Sequence, residues 1–361
     1  MAETQARTPA ALDFRMPAEW HPHHSTWLSW PKDPETWPDR LTQVEKIYLE
    51  IISALTPHEF VDLLTDDEAT EQKVRQLCTF PSVARIRFHH KPTVDSWIRD
   101  YGPNFLIGPN GTLAFNDWIF NAWGNKYEAL KQDDDVPRLL EPILQLPRFS
   151  PGIVMEGGSI DVNGTGCVLT TEQCLLNPNR NPELNRSEIE QFLKDYLGVT
   201  KVLWLGEGIV GDDTDGHIDD IARFVASDVI VCALEDDPED ANYEILRDNL
   251  ARLKAMTDIA GRRFEIVTLP MPGVVGGTST TTRVLDRLPA SYANFYIANN
   301  VVLLPVFGHA NDTRALETLQ TVFPDRRVIP INCEPLVWGM GTIHCVTQQQ
   351  PDPCKPAFIR G

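Results

Sequence analysis

The feature that most constrains this chain is a β-hairpin signal that recurs four times with helical segments between the copies. Asn110-Gly111, Asn163-Gly164, Ser227-Asp228 and Asn299-Asn300 each divide a short β-rich run in two. The runs are Phe105–Phe115, Ile160–Thr170, Ala222–Leu234 and Phe295–Phe307. Asn-Gly and related pairs accept the positive φ that a two-residue hairpin turn demands. Taken at 111, 164, 228 and 300, the turns stand about 53, 64 and 72 residues apart, an interval that implies repeated α/β units. A fifth unit is completed if the C-terminal run Ile343–Thr347 forms a strand that joins Ser25–Trp30 near the N-terminus.

Amphipathic helices are expected at Leu41–Leu55, Asp67–Phe80, Arg186–Leu197, Asp240–Met256 and Asp312–Phe323, where apolar residues recur every three or four positions. Ser187 followed by Glu190 reads as a capping box. No Pro/Gly/Ser-rich linker interrupts the pattern, so the expectation is one domain over residues 1–361. The glycine-rich stretch Gly273–Gly277 with Thr278–Thr282 lacks the Gly-Lys-Ser/Thr of a phosphate loop and reads as a surface loop or a lid.

Composition removes several classes of function. The net charge of −19 argues against a nucleic-acid partner, because phosphate binding requires a basic surface. An acidic field instead favours encounter with small cations. No run of 18 apolar residues is present, which speaks against a membrane span, and Met1–Ala11 lacks the apolar core of a secretory signal. The seven scattered cysteines read mostly as buried free thiols in a reducing compartment, so a cytoplasmic protein is expected.

Four polar segments beside glycines break the apolar pattern: Asp95–Pro103, Met155–Gly158, Gly211–Asp220 and Gly339–Thr347. Asp100, Glu156 and His217 each precede their hairpin turn by a similar distance, so equivalent units would bring them to one end. The chemistry fits a guanidinium. Asp100 and Asp219 can each accept paired N–H bonds from its plane. His217 and Asp219, two residues apart, would share a face on a strand, with His217 as proton shuttle and Glu156 orienting it. Cys345 would supply a thiolate nucleophile, its pKa lowered by His217 and by the substrate's charge.

Each feature also has a plainer reading. Cys345 can be a packed apolar thiol, Gly216-His-Ile-Asp-Asp220 a helix start, Asp100 an ion pair with Arg99, and Glu156 a solvated turn residue. The histidines at 21, 23, 24, 89 and 90 do not form a zinc motif, and no metal or organic cofactor is expected.

The chain resembles the agmatine deiminase family, also described as the Porphyromonas-type peptidylarginine deiminases, within the guanidine-modifying pentein superfamily. The resemblance spans nearly the whole chain. It rests on Met16-Pro-Ala-Glu-Trp20, Thr26-Trp-Leu-Ser-Trp-Pro31, Asp95-Ser-Trp-Ile-Arg-Asp100, Glu156-Gly-Gly158, Gly216-His-Ile-Asp219, Ser291-Tyr-Ala-Asn-Phe-Tyr296 and Ile343-His-Cys-Val-Thr-Gln-Gln349. It implies a five-bladed α/β-propeller with pseudo-fivefold ββαβ-type repeats around a central active-site channel. It further implies Cys345 as nucleophile, His217 as proton shuttle, Asp100 and Asp219 as guanidinium clamp, and Glu156 in support. Trp97 and Asp213 would bind substrate. The expected partner is a small cationic guanidine: agmatine, or alternatively peptidyl-arginine or free arginine. A homo-oligomer is compatible with the sequence, and a non-catalytic binding protein of the same fold is a remote alternative. Three positions depart from the family pattern: Thr342, Asp215 and Asp220 stand where many members carry Asn.

Overall fold

The computed structural model of the chain describes residues 8–278, 284–285 and 287–354. Five of its sheets repeat one strand pattern. In chain order, Asn104–Ile107 pairs antiparallel with Leu113–Asn116, which pairs parallel with Arg148–Phe149. Asp161–Val162, Cys167–Thr171 and Lys201–Leu205 repeat the arrangement. So do Ala222–Ala226, Val229–Leu234 and Glu265–Pro270, and Tyr296–Ile297, Val301–Val306 and Arg327–Asn332.

The remaining sheet joins the two ends of the chain. Gln348–Pro351 pairs antiparallel with His23–Ser29, which continues parallel to Phe60–Thr65 and then Ile86–His90. The expected fifth unit therefore exists, but the C-terminal strand begins at Gln348 rather than Ile343. Residues 343–346 form a turn instead.

One helix crosses between the second and third strands of each unit, as a parallel connection requires. These are Leu41–Leu55, Val136–Leu144, Arg186–Leu197, Tyr243–Ala255 and Asp312–Val322. Leu41–Leu55 shows why the sequence folds this way: Val44, Ile47, Tyr48, Ile51, Ile52 and Leu55 fall on one stripe and are all buried. The further expected helix runs over Glu68–Leu77, with Asp67 as its N-cap. Val136–Leu144 was not among the expected helices, and it carries Pro137 and Pro142. Pro137 lies in the first turn, where no N–H partner is needed. The cap of Arg186–Leu197 also differs from expectation. Asn185, not Ser187, accepts from the backbone of Ser187 and Glu188, and the Glu188 carboxylate returns to the Asn185 N–H.

Hairpin chemistry follows the turn residues. Asn110 and Gly111 have φ of 58° and 76°, Gly164 has 70° and Asn300 has 62°. All seven cysteines are free thiols. No helix among the described residues is long and apolar enough to cross a membrane. Of the expected glycine-rich loop, residues 279–282 lie outside the described residues.

The feature that matters for function is what precedes the first strand of each unit. In all five a short helix or turn stands there: Ile98–Tyr101, Gly157–Ser159, Ile218–Asp220, the turn at 292–293 and the turn at 343–346. Each carries or borders polar residues that are buried rather than solvated.

Candidate active site

The five pre-strand segments deliver their polar side chains to one buried place. Asp100 accepts from the Gly158 backbone N–H at 2.9 Å through Oδ1 and from the Trp123 indole N–H at 2.8 Å through Oδ2. His217 Nδ1 lies 3.7 Å from Asp100 Oδ1, and Nε2 lies 3.9 Å from Glu156 Oε2. The Cys345 sulfur is 3.7 Å from Asp219 Oδ2. Gly158 shows how tight the convergence is. A Cβ on it would stand 2.6 Å from His217 Nδ1, 2.8 Å from Asp100 Oδ1 and 3.1 Å from Asp219 Oδ2. Only a glycine lets three side chains close on that point. Gly341 does the same beside the sulfur, where a Cβ would meet the Trp97 ring at 2.7 Å and Cys345 Sγ at 3.1 Å.

Local geometry differs from the strand expected at two of these residues. His217 caps the one-turn helix Ile218–Asp220, so His217 and Asp219 are not two residues apart on a strand. Cys345 lies in the turn at 343–346. Both exceptions have one cause. A strand would point alternate side chains to opposite faces, whereas a tight turn can aim consecutive residues at a common point.

The plainer readings fail on contacts. Arg99 does not pair with Asp100; it donates to the His344 carbonyl at 3.2 Å and to Gln349 Oε1 at 2.8 Å. Glu156 is not solvated but fully buried, with Arg180 Nε 2.7 Å from its Oε1. Cys345 does pack among apolar residues, yet its sulfur faces Asn294 and Asp219.

Charge is distributed unevenly across the cluster. Burial alone would hold His217 neutral, but Asp100, the Cys174 thiol and Glu156 together raise it well above the ordinary histidine value. Burial pushes Asp100 up to about 6, with Asp219 and Glu156 adding to the rise and His217 opposing it. Burial acts on Asp219 too, yet the hydrogen bond and charge of His344 outweigh it and lower that carboxyl. Its neighbour Asp220, buried beside Asp219, is pushed far up and holds the proton of the pair. Burial, with the carboxylates of Asp219 and Asp100 adding to it, raises the Cys345 thiol well above its ordinary value. The expected help from His217 does not outweigh them. A cation bound among these carboxylates is what would favour the thiolate.

Several buried atoms here have no hydrogen-bond partner: both His217 ring nitrogens, Asp219 Oδ1 and Glu156 Oε2. Unpaired buried polar atoms are costly, so these call for a ligand, a water or a moving proton to satisfy them. Asp100 and Cys345 line a cavity of about 730 Å³ whose wall also includes Trp97, Trp123 and Asp213, while His217, Asp219 and Glu156 lie behind that wall. Trp97 lies in this wall, its ring 5.5 Å from that of Trp37 and its N–H bound to Asp95 at 3.0 Å. Asp213 is further out, held by the Tyr127 hydroxyl and 3.5 Å from Lys126.

Glu156, Cys174 and His217 each offer an atom within 4.8 Å of the others, a spacing that a metal could use. Arg180 argues for a different role. Its buried guanidinium also binds Asp215 at 2.7 Å and places a fixed positive charge against Glu156. A metal cation would have to displace or tolerate it.

The sequence reading overlooked four residues of this site. Arg180 and Trp123 are remote in sequence from the carboxylates they bind, and nothing local marks them. His344 bridges Asp219 at 2.7 Å and Glu19 at 2.7 Å; its place beside Cys345 was the available signal. Asn294, 3.2 Å from the cysteine sulfur, precedes the fourth hairpin as Asp100, Glu156 and His217 precede theirs. It stands only 6 residues before Asn300, against 11, 8 and 11 for those three, so the spacing did not single it out.

Comparison with known proteins finds relatives along nearly the whole chain. Residues 15–351 match the family model of the Porphyromonas-type peptidyl-arginine deiminases. The chain is 37% identical to the agmatine deiminase of Stutzerimonas stutzeri, covering 99% of this chain and 100% of that one. It superposes on the agmatine deiminase of Enterococcus faecalis with a TM-score of 0.91 at 36% identity, over 97% of this chain and 99% of that one. A C. jejuni agmatine deiminase, a cysteine-to-serine variant with substrate bound, matches at 30% identity and a TM-score of 0.84, over 94% and 96% of the two chains.

Proposed function

The chain belongs to the Porphyromonas-type peptidyl-arginine deiminase family, and from that membership we infer that its reaction is the hydrolysis of agmatine to N-carbamoylputrescine and ammonia. The observation that carries the reading is the pair of carboxylates, Asp100 and Asp219, drawn to one point beside His217 with the Cys345 sulfur 3.7 Å from Asp219. Two such carboxylates suit the planar fork of N–H groups on a guanidinium.

In this scheme the guanidinium binds between Asp100 and Asp219, and its charge offsets the carboxylates that otherwise hold the Cys345 thiol protonated. The thiol proton passes to solvent and is regained by the sulfur from the hydroxyl of the second adduct when the C–S bond breaks. The thiolate attacks the guanidinium carbon and a C–S bond forms. Protonated His217 gives its proton to a terminal nitrogen, the C–N bond breaks, and ammonia leaves. The neutral imidazole then takes a proton from water as the water oxygen attacks the same carbon. The C–S bond breaks, the ureido product departs, and thiol and imidazolium are restored. Glu156, held ionised by Arg180, keeps His217 protonated and oriented. The step requires no metal or organic cofactor.

Agmatine rather than free arginine is supported by the cavity wall. An arginine substrate would bring a carboxylate needing a free cation. Lys126 lies in the wall but is matched by Asp215 at 2.9 Å and Asp213 at 3.5 Å. Asp213 and Trp97 stand in the same wall, where the aliphatic amine end of the substrate would lie. The repeated sheets support a five-bladed α/β-propeller of the pentein type, closed through Gln348–Pro351 and forming one domain over residues 1–361.

Ammonia release should be measured with agmatine, arginine and a peptidyl-arginine. Agmatine should be turned over at least ~10² times faster than either alternative. Comparable rates on the other two would overturn the substrate assignment. Replacing Cys345 with Ala should abolish turnover, and ammonia release that survived it would sink the covalent scheme.

A further inference from the structure

Asn294 is buried without exposure to solvent, and every polar atom of its amide is engaged. Its oxygen accepts from the His344 backbone N–H at 3.0 Å and from the Thr342 hydroxyl at 2.7 Å. A backbone N–H can only donate, so this contact fixes which end of the amide is oxygen. The NH₂ group must then face the other way. There it lies 3.1 Å from Asp220 Oδ1 and 3.2 Å from the Cys345 sulfur, nearer to that sulfur than the amide oxygen, which stands 3.5 Å away and can accept from the resting thiol. The side chain is thus clamped at three points, and the N–H on the fourth side is aimed at sulfur.

We propose that Asn294 is a further catalytic residue, donating a hydrogen bond to the Cys345 sulfur as it becomes a thiolate and attacks the guanidinium carbon. The proposal rests on Cys345 being the nucleophile. No bond of Asn294 is made or broken; it stabilises charge on the sulfur where the carboxylates of Asp219 and Asp100 oppose that charge. A donor fixed before the reaction costs no reorganisation when the charge develops, which is why such groups act strongly in buried sites. Asp220 serves as the neutral partner of the amide. As a protonated acid it adds no second full negative charge beside the sulfur while still accepting from Asn294. Thr342 belongs to the same device, because its hydroxyl holds the amide oxygen and so fixes the direction of the N–H.

The test uses three variants of the full chain with agmatine. Asn294→Asp keeps an oxygen for the His344 N–H and the Thr342 hydroxyl but removes the donor facing sulfur. Asn294→Ala removes both ends, and Thr342→Val loosens the amide while leaving it in place. For the two Asn294 variants kcat should fall by at least ~10-fold, approaching ~10², with KM changed less than about threefold. The alkaline shift is the more specific readout. The pH at which kcat/KM and iodoacetamide alkylation of Cys345 reach half-maximum should move upward in Asn294→Asp and Asn294→Ala. Thr342→Val should move it in the same direction by less. If one Asn294 variant does not fold, the other together with Thr342→Val still decides. Unchanged kcat and unchanged alkylation profiles in the folded variants would overturn the role of Asn294. An active Cys345→Ala would instead overturn the nucleophile, so the two failures are distinguishable.

Discussion

Asp100 and Asp219 are the same residue type, both buried and drawn to the same point, yet their surroundings push them in opposite directions. Asp219 meets His344 at 2.7 Å, and His344 is anchored in turn by Glu19, which also binds Arg223 at 2.7 Å. Asp100 receives only neutral donors, the Gly158 amide and the Trp123 indole, with His217 nearby at 3.7 Å. One carboxylate is therefore held ionised before any substrate arrives, and the other is pushed up to about 6. The difference teaches that a guanidinium clamp need not be symmetric. One arm is a permanent anion braced by a charge network, and the other gains its full charge from the cation it binds.

Replacing Asp219 with Asn should break the braced arm and cause the largest effect. It leaves His344 buried between one carboxylate and an amide, and losing one partner of a buried charged pair costs about 3–5 kcal/mol. Denaturant unfolding should show that loss, with ammonia release falling below detection. Stability equal to the parent would mean that His344 does not brace Asp219 as a charge.

Asp100→Asn should have the opposite sign. Its carboxyl is raised from 3.8 to about 6 in the folded protein, so its stabilising contribution is present below about pH 4 and lost as pH rises through about 6. An amide resembles the protonated form and escapes that loss. At pH 8 the unliganded variant should be more stable than the parent by up to about 3 kcal/mol, although turnover falls sharply. Denaturant curves at pH 4 and pH 8 check both sign and window. A variant destabilised at pH 8 would contradict the asymmetry.

The smallest effect is a proton. Agmatine binding to Cys345→Ala at pH 5 should release close to one proton as Asp100 ionises, and almost none at pH 8. Calorimetry in two buffers of different ionisation enthalpy reads this directly. Release that did not depend on pH would place the titrating group elsewhere.

Much of the architecture was legible. Hairpin turns at Asn110-Gly111, Asn163-Gly164, Ser227-Asp228 and Asn299-Asn300 all connect antiparallel strands, because turn chemistry is local. The helices Leu41–Leu55 and Arg186–Leu197 carry their own apolar stripes. Val136–Leu144, which carries two prolines, was not among the expected helices. The segment around Cys345 was read as a strand because Ile343, Val346 and Thr347 favour one, but the Asn294 contacts to Thr342 and His344 hold it as a turn. Tertiary hydrogen bonds override β propensity there.

The sequence by itself determined the kinds of element, their order, and the inventory of reactive groups at Asp100, Glu156, His217, Asp219 and Cys345. Periodicity, turn residues and side-chain chemistry are properties of short stretches and survive without knowledge of the fold. Only the tertiary structure decided what state those groups are in. Asp219 is held ionised by a histidine 125 residues away, and Glu156 by an arginine 24 residues away. Asp100 and Cys345 are pushed the other way by burial. A protonation state depends on solvent exclusion and on nearby charge, and neither exists until distant parts of the chain have packed together.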